Sequence, residues 1–360
     1  MSRQNSNAGE RITAVVINYN SGPALAAAIE ALRNQTVTFE EIIVVDNDST
    51  DGSTDIDNRD EAFRLIQSGE NAGAAAARNA GFEAATTELV MVIDADMLPA
   101  PDCAENLLRT LDEFEATVAL PRIVYAPEFT TVQFDGGDPH FLGLLSLHNR
   151  DTPLADSPAV DRIVNAAPSS CLLVNRERVL ALGGFCSFYF FYFEDLEFGQ
   201  RLTMAGERIV FTSSAVTGHD QGEGTPGLSY RGTGDYPKRR AYLTMRNRLL
   251  TIACLYSGRS IVLLLPALVV FEGVTFLGSI WRGWTAQWLS AWWWLFRNHR
   301  VWRRHRVMAQ SHRQCRDSAV LTGGDIPFAT GFLNAGWQER LAAVLSAMLN
   351  GWWRAVRRWL

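Results

Sequence analysis

Two carboxylates one residue apart close an apolar run in VMVIDADM, residues 90–97. Four apolar residues leading into Asp94-Ala95-Asp96 describe a buried strand that ends by presenting acids. Such a pair repels itself, and a buried carboxylate is costly to desolvate. A divalent cation carrying a phosphate would relieve both costs, since hard oxygen ligands suit Mg²⁺ or Mn²⁺. A strand-end turn or a helix cap explains the same residues equally well. Three other groups could join such chemistry. Asp46 ends a second apolar run, Glu194-Asp195-Leu196-Glu197 follows six consecutive aromatics, and His219 follows RIVFT. A carboxylate beside apolar rings can be pushed toward the range of a general base. The same acids at a helix start are favoured by its dipole, and a lone histidine is as readily structural.

The elements that position these residues alternate. RITAVVIN and EIIVVDN are short, β-branched and apolar, as buried parallel strands are. After the first, Ser21 is placed to cap a helix over ALAAAIEALRNQ. A polar loop, DSTDGSTD, follows the second, and FRLIQ reads as a weaker strand. An Ala-rich helix opens at Asn71-Ala72-Gly73 and runs through Arg78, and another begins near Pro101-Asp102. This is an open α/β sheet, and such sheets bind ligands at the carboxyl ends of their strands. DNDSTDG fails as an EF-hand loop, with Thr50 and Asp51 where an acid or amide and a glycine are needed. G-x-G-x-x-G is missing, which disfavours a dinucleotide oxidoreductase. Residues 116–175 hold short strand candidates between polar loops, and a helix follows the Glu194 cluster.

Charge divides the chain. Before residue 241 it carries 18 basic against 35 acidic residues, and after it 15 against 4. All eleven tryptophans lie from Trp281 onward. The division predicts a loose tail over 1–10, a catalytic domain over 11–240 and a helical region over 241–360. Ile261 to Trp281 has the length of a membrane span. Pro266, Glu272 and two glycines count against it, one central acid costing ~2.5–3.5 kcal/mol. Tryptophan with arginine suits a membrane interface with anionic headgroups, whereas a packed helical subdomain or nucleic-acid binding fits the pattern less well. Peripheral or monotopic attachment to the cytoplasmic membrane face is expected, with a single span as the alternative. Five scattered cysteines without C-x-x-C argue against a disulfide framework or zinc site, and the polar N-terminus lacks a signal peptide's apolar core.

VVINYNS, VVDNDSTDGS, Asn71-x-Gly73 with Arg78-Asn79, DAD, SCLLVNR, GGF, FEDLEFGQRL and RNRLLT together resemble family two glycosyltransferases, in particular their rhamnosyltransferase-like members. The resemblance covers roughly residues 11–310. It implies a GT-A fold with a mostly parallel central sheet, a UDP-, dTDP- or GDP-sugar donor, Mg²⁺ or Mn²⁺, and inversion at the anomeric carbon. By that likeness Asn18 and Tyr19 lie beside the nucleobase, Asp46 and Asn47 recognise it, Arg78 contacts the donor and Asp94 serves the ribose. Asp96 holds the metal, His219 joins it, and Asp195 is the base with Glu194 beside it. After GGF the family usually has Asp-Glu, whereas Cys186-Ser187 stands here, which weakens inference about the acceptor. The expected function is transfer of a sugar to a hydroxyl of a lipid-linked or cell-surface glycan. A polyprenyl-phosphate glycosyl synthase and a non-catalytic sugar-nucleotide-binding scaffold are the alternatives, and nucleic acid is not an expected partner.

Overall fold

A computed structural model describes residues 11–56, 62–220, 228–230, 236–328, 332–333 and 335–360. The expected tail over 1–10 lies outside them. The chain folds into two compact units. The first unit takes residues up to 136, 149–190 and 208–222, and the second takes 137–148, 191–207 and the rest.

Strands β1 (Ile12–Asn18), β2 (Glu41–Asp46), β3 (Phe63–Gln67) and β4 (Leu89–Asp94) come first in the chain. Then follow β5 (Met97–Pro99), β6 (Val118–Tyr125), β7 (Thr131–Phe134), β8 (Gly137–His140) and β9 (Leu144–Leu147). The last are β10 (Thr152–Pro153), β11 (Arg162–Val164), β12 (Cys171–Asn175) and β13 (Ile209–His219). The first unit also holds helices α1 (Ala24–Arg33), α2 (Ala74–Ala84), α3 (Cys103–Glu113) and α4 (Arg176–Ala181).

All of these strands but β8 and β9 form one sheet, ordered β10-β7-β6-β12-β4-β1-β2-β3, with β13 also on β6. Strands β3, β2, β1 and β4 run parallel, and β12 is antiparallel to β4. Every residue of β1 is buried, as its unbroken apolar pattern requires. Val16, Val44, Met91 and Leu173 pack in the core with Leu25, Ile29 and Leu107 from the helices. Register sets Asn18 opposite Asp46 and Ile17 opposite Asp94, so three adjacent strands end at one level. β13 is longer than the RIVFT run suggests and carries His219 at its last position.

The second unit contains the hairpin β8–β9 and helices α5 (Glu194–Met204), α6 (Lys238–Leu255), α7 (Gly258–Trp281) and α8 (Thr285–Arg297). It continues with α9 (His299–Ser311), α10 (Asp317–Val320) and α11 (Gly336–Val356). Its core joins Phe141, Tyr256, Leu264, Phe271, Leu349 and Trp353. Helix α7 passes by length and composition as a membrane span. The feature that counted against it, Glu272, is neutralised. Glu272 pairs with the buried Arg248 and accepts from the indole N–H of Trp288 at 2.7 Å and of Trp292 at 3.1 Å.

Candidate active site

The loops after β1 and β2 are tied together by polar side chains. Asn18, fully buried, donates from Nδ2 to Asp46 Oδ1 at 2.7 Å and to Ser53 Oγ at 3.0 Å. Asp46 accepts from the Ser49 N–H at 3.0 Å and from the Ser49 hydroxyl at 2.5 Å. Asp51 accepts from the Gly22 N–H at 2.7 Å, and Asn20 accepts from the Thr50 N–H at 2.8 Å. Ser21, expected to cap α1, instead donates to Asn18, and α1 starts after Pro23 without a side-chain cap. The hydroxyl finds a better acceptor in the loop than the helix offers.

This arrangement separates Asp46 from Asn47. Both are buried. The carboxylate of Asp46 is engaged by its own loop, whereas Asn47 donates to the Gly73 carbonyl at 3.2 Å and its buried Oδ1 has no hydrogen-bond partner among the described residues. Buried amide oxygens are rarely left so. Tyr19 is half-buried on the same rim. Gly73, at φ +89°, precedes α2, and a Cβ there would collide with the Phe190 carbonyl. Only glycine permits both the backbone angle and the approach.

Arg78 reaches from α2 to the end of β4. Its Nη2 lies 2.8 Å from Asp94 Oδ1, and its guanidinium sits over the Phe185 ring, 5.3 Å from the centroid. Arg78 is 2% exposed, so its charge acts through Asp94. Burial pushes the Asp94 carboxyl up to about 6, against the pull of Arg78.

Asp96 faces the other way, toward His219. The main chain anchors it, the Asp220 N–H donating to the Asp96 carbonyl at 2.9 Å. His219 Nε2 lies 3.2 Å from Asp96 Oδ2, and His219 Nδ1 lies 2.7 Å from Gln133 Oε1. With the Gln133 oxygen as acceptor, Nδ1 carries the proton. Asp96 and His219 thus stand side by side, as two ligands of one cation would, and a second partner on the other ring nitrogen is the usual support of a metal-binding histidine. Among the described residues no group of three or more His, Cys, Asp or Glu is placed to hold a metal. Two protein ligands nonetheless suit a cation that keeps water and substrate phosphate in its remaining positions, so the donor set fits.

The first unit therefore brings together Asn18, Tyr19, Asp46, Asn47, Arg78, Asp94, Asp96 and His219 at the strand ends. Glu194 and Asp195 belong to the second unit, in the first turn of α5. Glu194 is 5% exposed, while Asp195 is half-buried and accepts from the Leu196 N–H at 2.7 Å. Tyr192 and Phe193 before it have φ +65° and +67°. Bulky residues at positive φ are strained and need surroundings that enforce them. Buried Asn247 of α6 does so, donating to the Phe191 carbonyl at 3.0 Å and the Tyr192 carbonyl at 2.7 Å. Arg240 adds its guanidinium over the Tyr192 ring, 4.5 Å from the centroid. Inside α5, Glu197 is locked between Arg201 and His305, at 2.7 and 2.8 Å. Sequence reasoning missed Ser49, Ser53, Gln133 and Asn247. The serines stand in a polar loop after a strand, a signal that was readable, whereas Gln133 and Asn247 carry none.

Residues 13–155 match the family model of glycosyl transferase family 2. The putative glycosyltransferase EpsH of Bacillus subtilis is 38% identical over 123 residues, 33% of this chain and 34% of EpsH. The N-acetylglucosaminyl-diphospho-decaprenol L-rhamnosyltransferase of Mycobacterium tuberculosis is 28% identical over 235 residues, 59% of this chain and 76% of that protein. The chain thus spans about a third of the length of EpsH. In fold it is similar to the crystal structure of GalNAc-T7 with UDP, GalNAc and Mn²⁺, at a TM-score of 0.56 and 14% identity, covering 70% of this chain and 49% of the other. The strand order and these likenesses agree: residues 13–155 are similar to glycosyl transferase family 2, and the fold is of the GT-A type.

Proposed function

We propose that the protein is an inverting glycosyltransferase that moves a sugar from a nucleotide-diphosphate donor to a hydroxyl of a lipid-linked or cell-surface glycan. The observation that carries this reading is the pair Asp96–His219, a carboxylate and an imidazole nitrogen 3.2 Å apart at the carboxyl ends of the strands, with Gln133 on the other ring nitrogen. Mg²⁺ or Mn²⁺ held by Asp96 and His219 would supply positive charge to a departing diphosphate. Asn47 offers its buried Oδ1 to a nucleobase N–H, with Tyr19 beside it, and Asn18 and Asp46 keep that rim rigid. Asp94, oriented by Arg78, serves a ribose hydroxyl.

Asp195 takes the acceptor's proton on its carboxylate as the new C–O bond forms. The bond from the anomeric carbon to the diphosphate breaks with its electron pair leaving on oxygen, and a single displacement inverts the centre. Glu194, being buried, supports Asp195 rather than meeting the acceptor. The lipid-linked acceptor gains support from the rhamnosyltransferase, whose name specifies a diphospho-decaprenol substrate. In this reading the protein works at the cytoplasmic face of a membrane.

The test is a thermal-shift screen of UDP-, dTDP- and GDP-sugars with Mn²⁺. One donor should stabilise the protein only when metal is present, and Asp96→Ala should abolish the effect. Asp195→Asn should keep that stabilisation while slowing turnover by about 10²–10⁴-fold. Stabilisation that ignores both metal and Asp96→Ala would overturn the reading.

A further inference from the structure

Soluble units rarely leave a large contiguous apolar surface bare. The second unit does so on three helices. Along α7 the exposed positions Val262, Leu265, Val269, Leu277 and Trp281 recur at helical spacing, and the side turned inward carries Ser260, Ser279 and Glu272 beside Leu264, Ala267 and Phe271. The helix is apolar on both sides, and its outward side stays bare over a length of about 36 Å. On α11 the exposed stripe is Trp337, Leu341, Val344, Met348 and Trp352. On α8 it is Leu289, Trp293 and Phe296.

These stripes are neighbours. Trp281 meets Trp337 at 6.3 Å between ring centroids, and Trp352 Nε1 donates to the Leu263 carbonyl at 3.0 Å. The end of α7 thus meets the start of α11 and the reverse, so the two lie antiparallel. Phe276 packs on Trp288 at 4.7 Å, which sets α8 against α7. The adjoining charges have one sign. From 285 to 316 there are seven arginines and no acid, and Arg297, Arg300, Arg303 and Arg304 are exposed, as are Arg354, Arg357 and Arg358 beyond the α11 stripe.

We propose that α7, α8 and α11 form a single apolar raft lying in the plane of one leaflet of an anionic bilayer, with the arginines on its headgroups. The inference deepens the proposed function and rests on it only for the raft's purpose, access to a lipid-linked acceptor. Two facts select this occupant. Tryptophan at the edge of an apolar face bordered by arginine matches the chemistry of the interface, and a second copy would bring two arginine borders together. In-plane placement follows from the inward side of α7: Leu264, Ala267 and Phe271 lie in the core of its own unit, and the Glu272 carboxylate is bound there by Arg248 and two indoles.

The full chain, with Cys residues introduced by Arg259→Cys and Thr285→Cys, is mixed with vesicles of phosphatidylcholine alone or with added phosphatidylglycerol. Sedimentation with the anionic vesicles is expected. Tryptophan fluorescence should be quenched more by lipids brominated near the headgroup than near the bilayer centre, and both introduced thiols should react with an impermeant reagent from one side. Arg303→Glu with Arg304→Glu should weaken anionic binding by about tenfold or more. Leu265→Gln with Leu277→Gln, on exposed positions, should abolish it without altering the circular dichroism spectrum. Thiols labelled from opposite sides would mean that α7 crosses the bilayer, and a chain that ignores both vesicles or buries the face by self-association overturns the raft. Donor stabilisation measured without lipid is independent of all these outcomes, so failure of the glycosyl-transfer reading would be seen separately.

Discussion

His219 is hydrogen-bonded through Nδ1 to Gln133 Oε1 at 2.7 Å and turns Nε2 toward Asp96, 3.2 Å away. Gln133 therefore decides which nitrogen can bind a cation. Gln133→Leu should lower Mn²⁺ affinity by about 10–100-fold, read by calorimetry or by the manganese electron-resonance signal in the absence of donor. Asp96→Ala should lose binding altogether. Unchanged affinity in Gln133→Leu would mean that the histidine is oriented by something else.

Asn247 holds two carbonyls of the strained turn before Asp195. Asn247→Leu should lower turnover while leaving Mn²⁺ affinity unchanged, because the loss falls on the placement of the base. It should also destabilise the protein by about 1–3 kcal/mol, the cost of leaving buried polar groups unpaired. Urea unfolding measures the second effect and initial rates the first.

Glu272 and Arg248 form a pair with little access to water. Glu272→Leu leaves a buried guanidinium unbalanced and should cost about 3–5 kcal/mol, seen as a lowered thermal midpoint. Glu272→Gln, which can still accept from the two indoles, should lie between this variant and the parent. Equal midpoints for all three would show that the pair contributes nothing.

Two groups make the second unit acid-sensitive. Burial pushes His140 down to about 4, so between its ordinary value and 4 the unfolded chain binds the extra proton. That contribution is complete above about 6.5 and is lost as pH falls toward 4. Burial also raises Glu197, but the charges of Arg201 and His305 outweigh it and hold the carboxyl at about 2. Its contribution is present above about 4.5 and is lost as pH falls toward 2. Denaturant midpoints should therefore decline in two stages on acidification, and Glu197→Gln should remove the lower stage.

The sheet could be read from the chain because β1, β2 and β4 are apolar runs whose period and length leave little alternative, and Asp46, Asp94 and Asp96 stand where those runs stop. Other roles depend on partners far away in sequence. Gln133 and His219 are 86 residues apart, and nothing local marks the glutamine. Glu272 was misjudged for the same reason, since its cost as an acid in an apolar helix is real only if Arg248 is elsewhere. The strained turn at Tyr192 and Phe193 was equally hidden, because aromatic residues suggest packing and not positive φ.

Asn18, Asp46, Ser49 and Ser53 form a hydrogen-bonded set in which each residue has a partner among the other members. Such a set behaves as one inherited character. A change at Asn18 alone takes one donor from Asp46 and one from Ser53, and a change at Asp46 takes partners from Asn18 and Ser49, so the first substitution should carry most of the penalty and the second less. Single steps at these positions are therefore costly, and related chains should keep the set or replace it together.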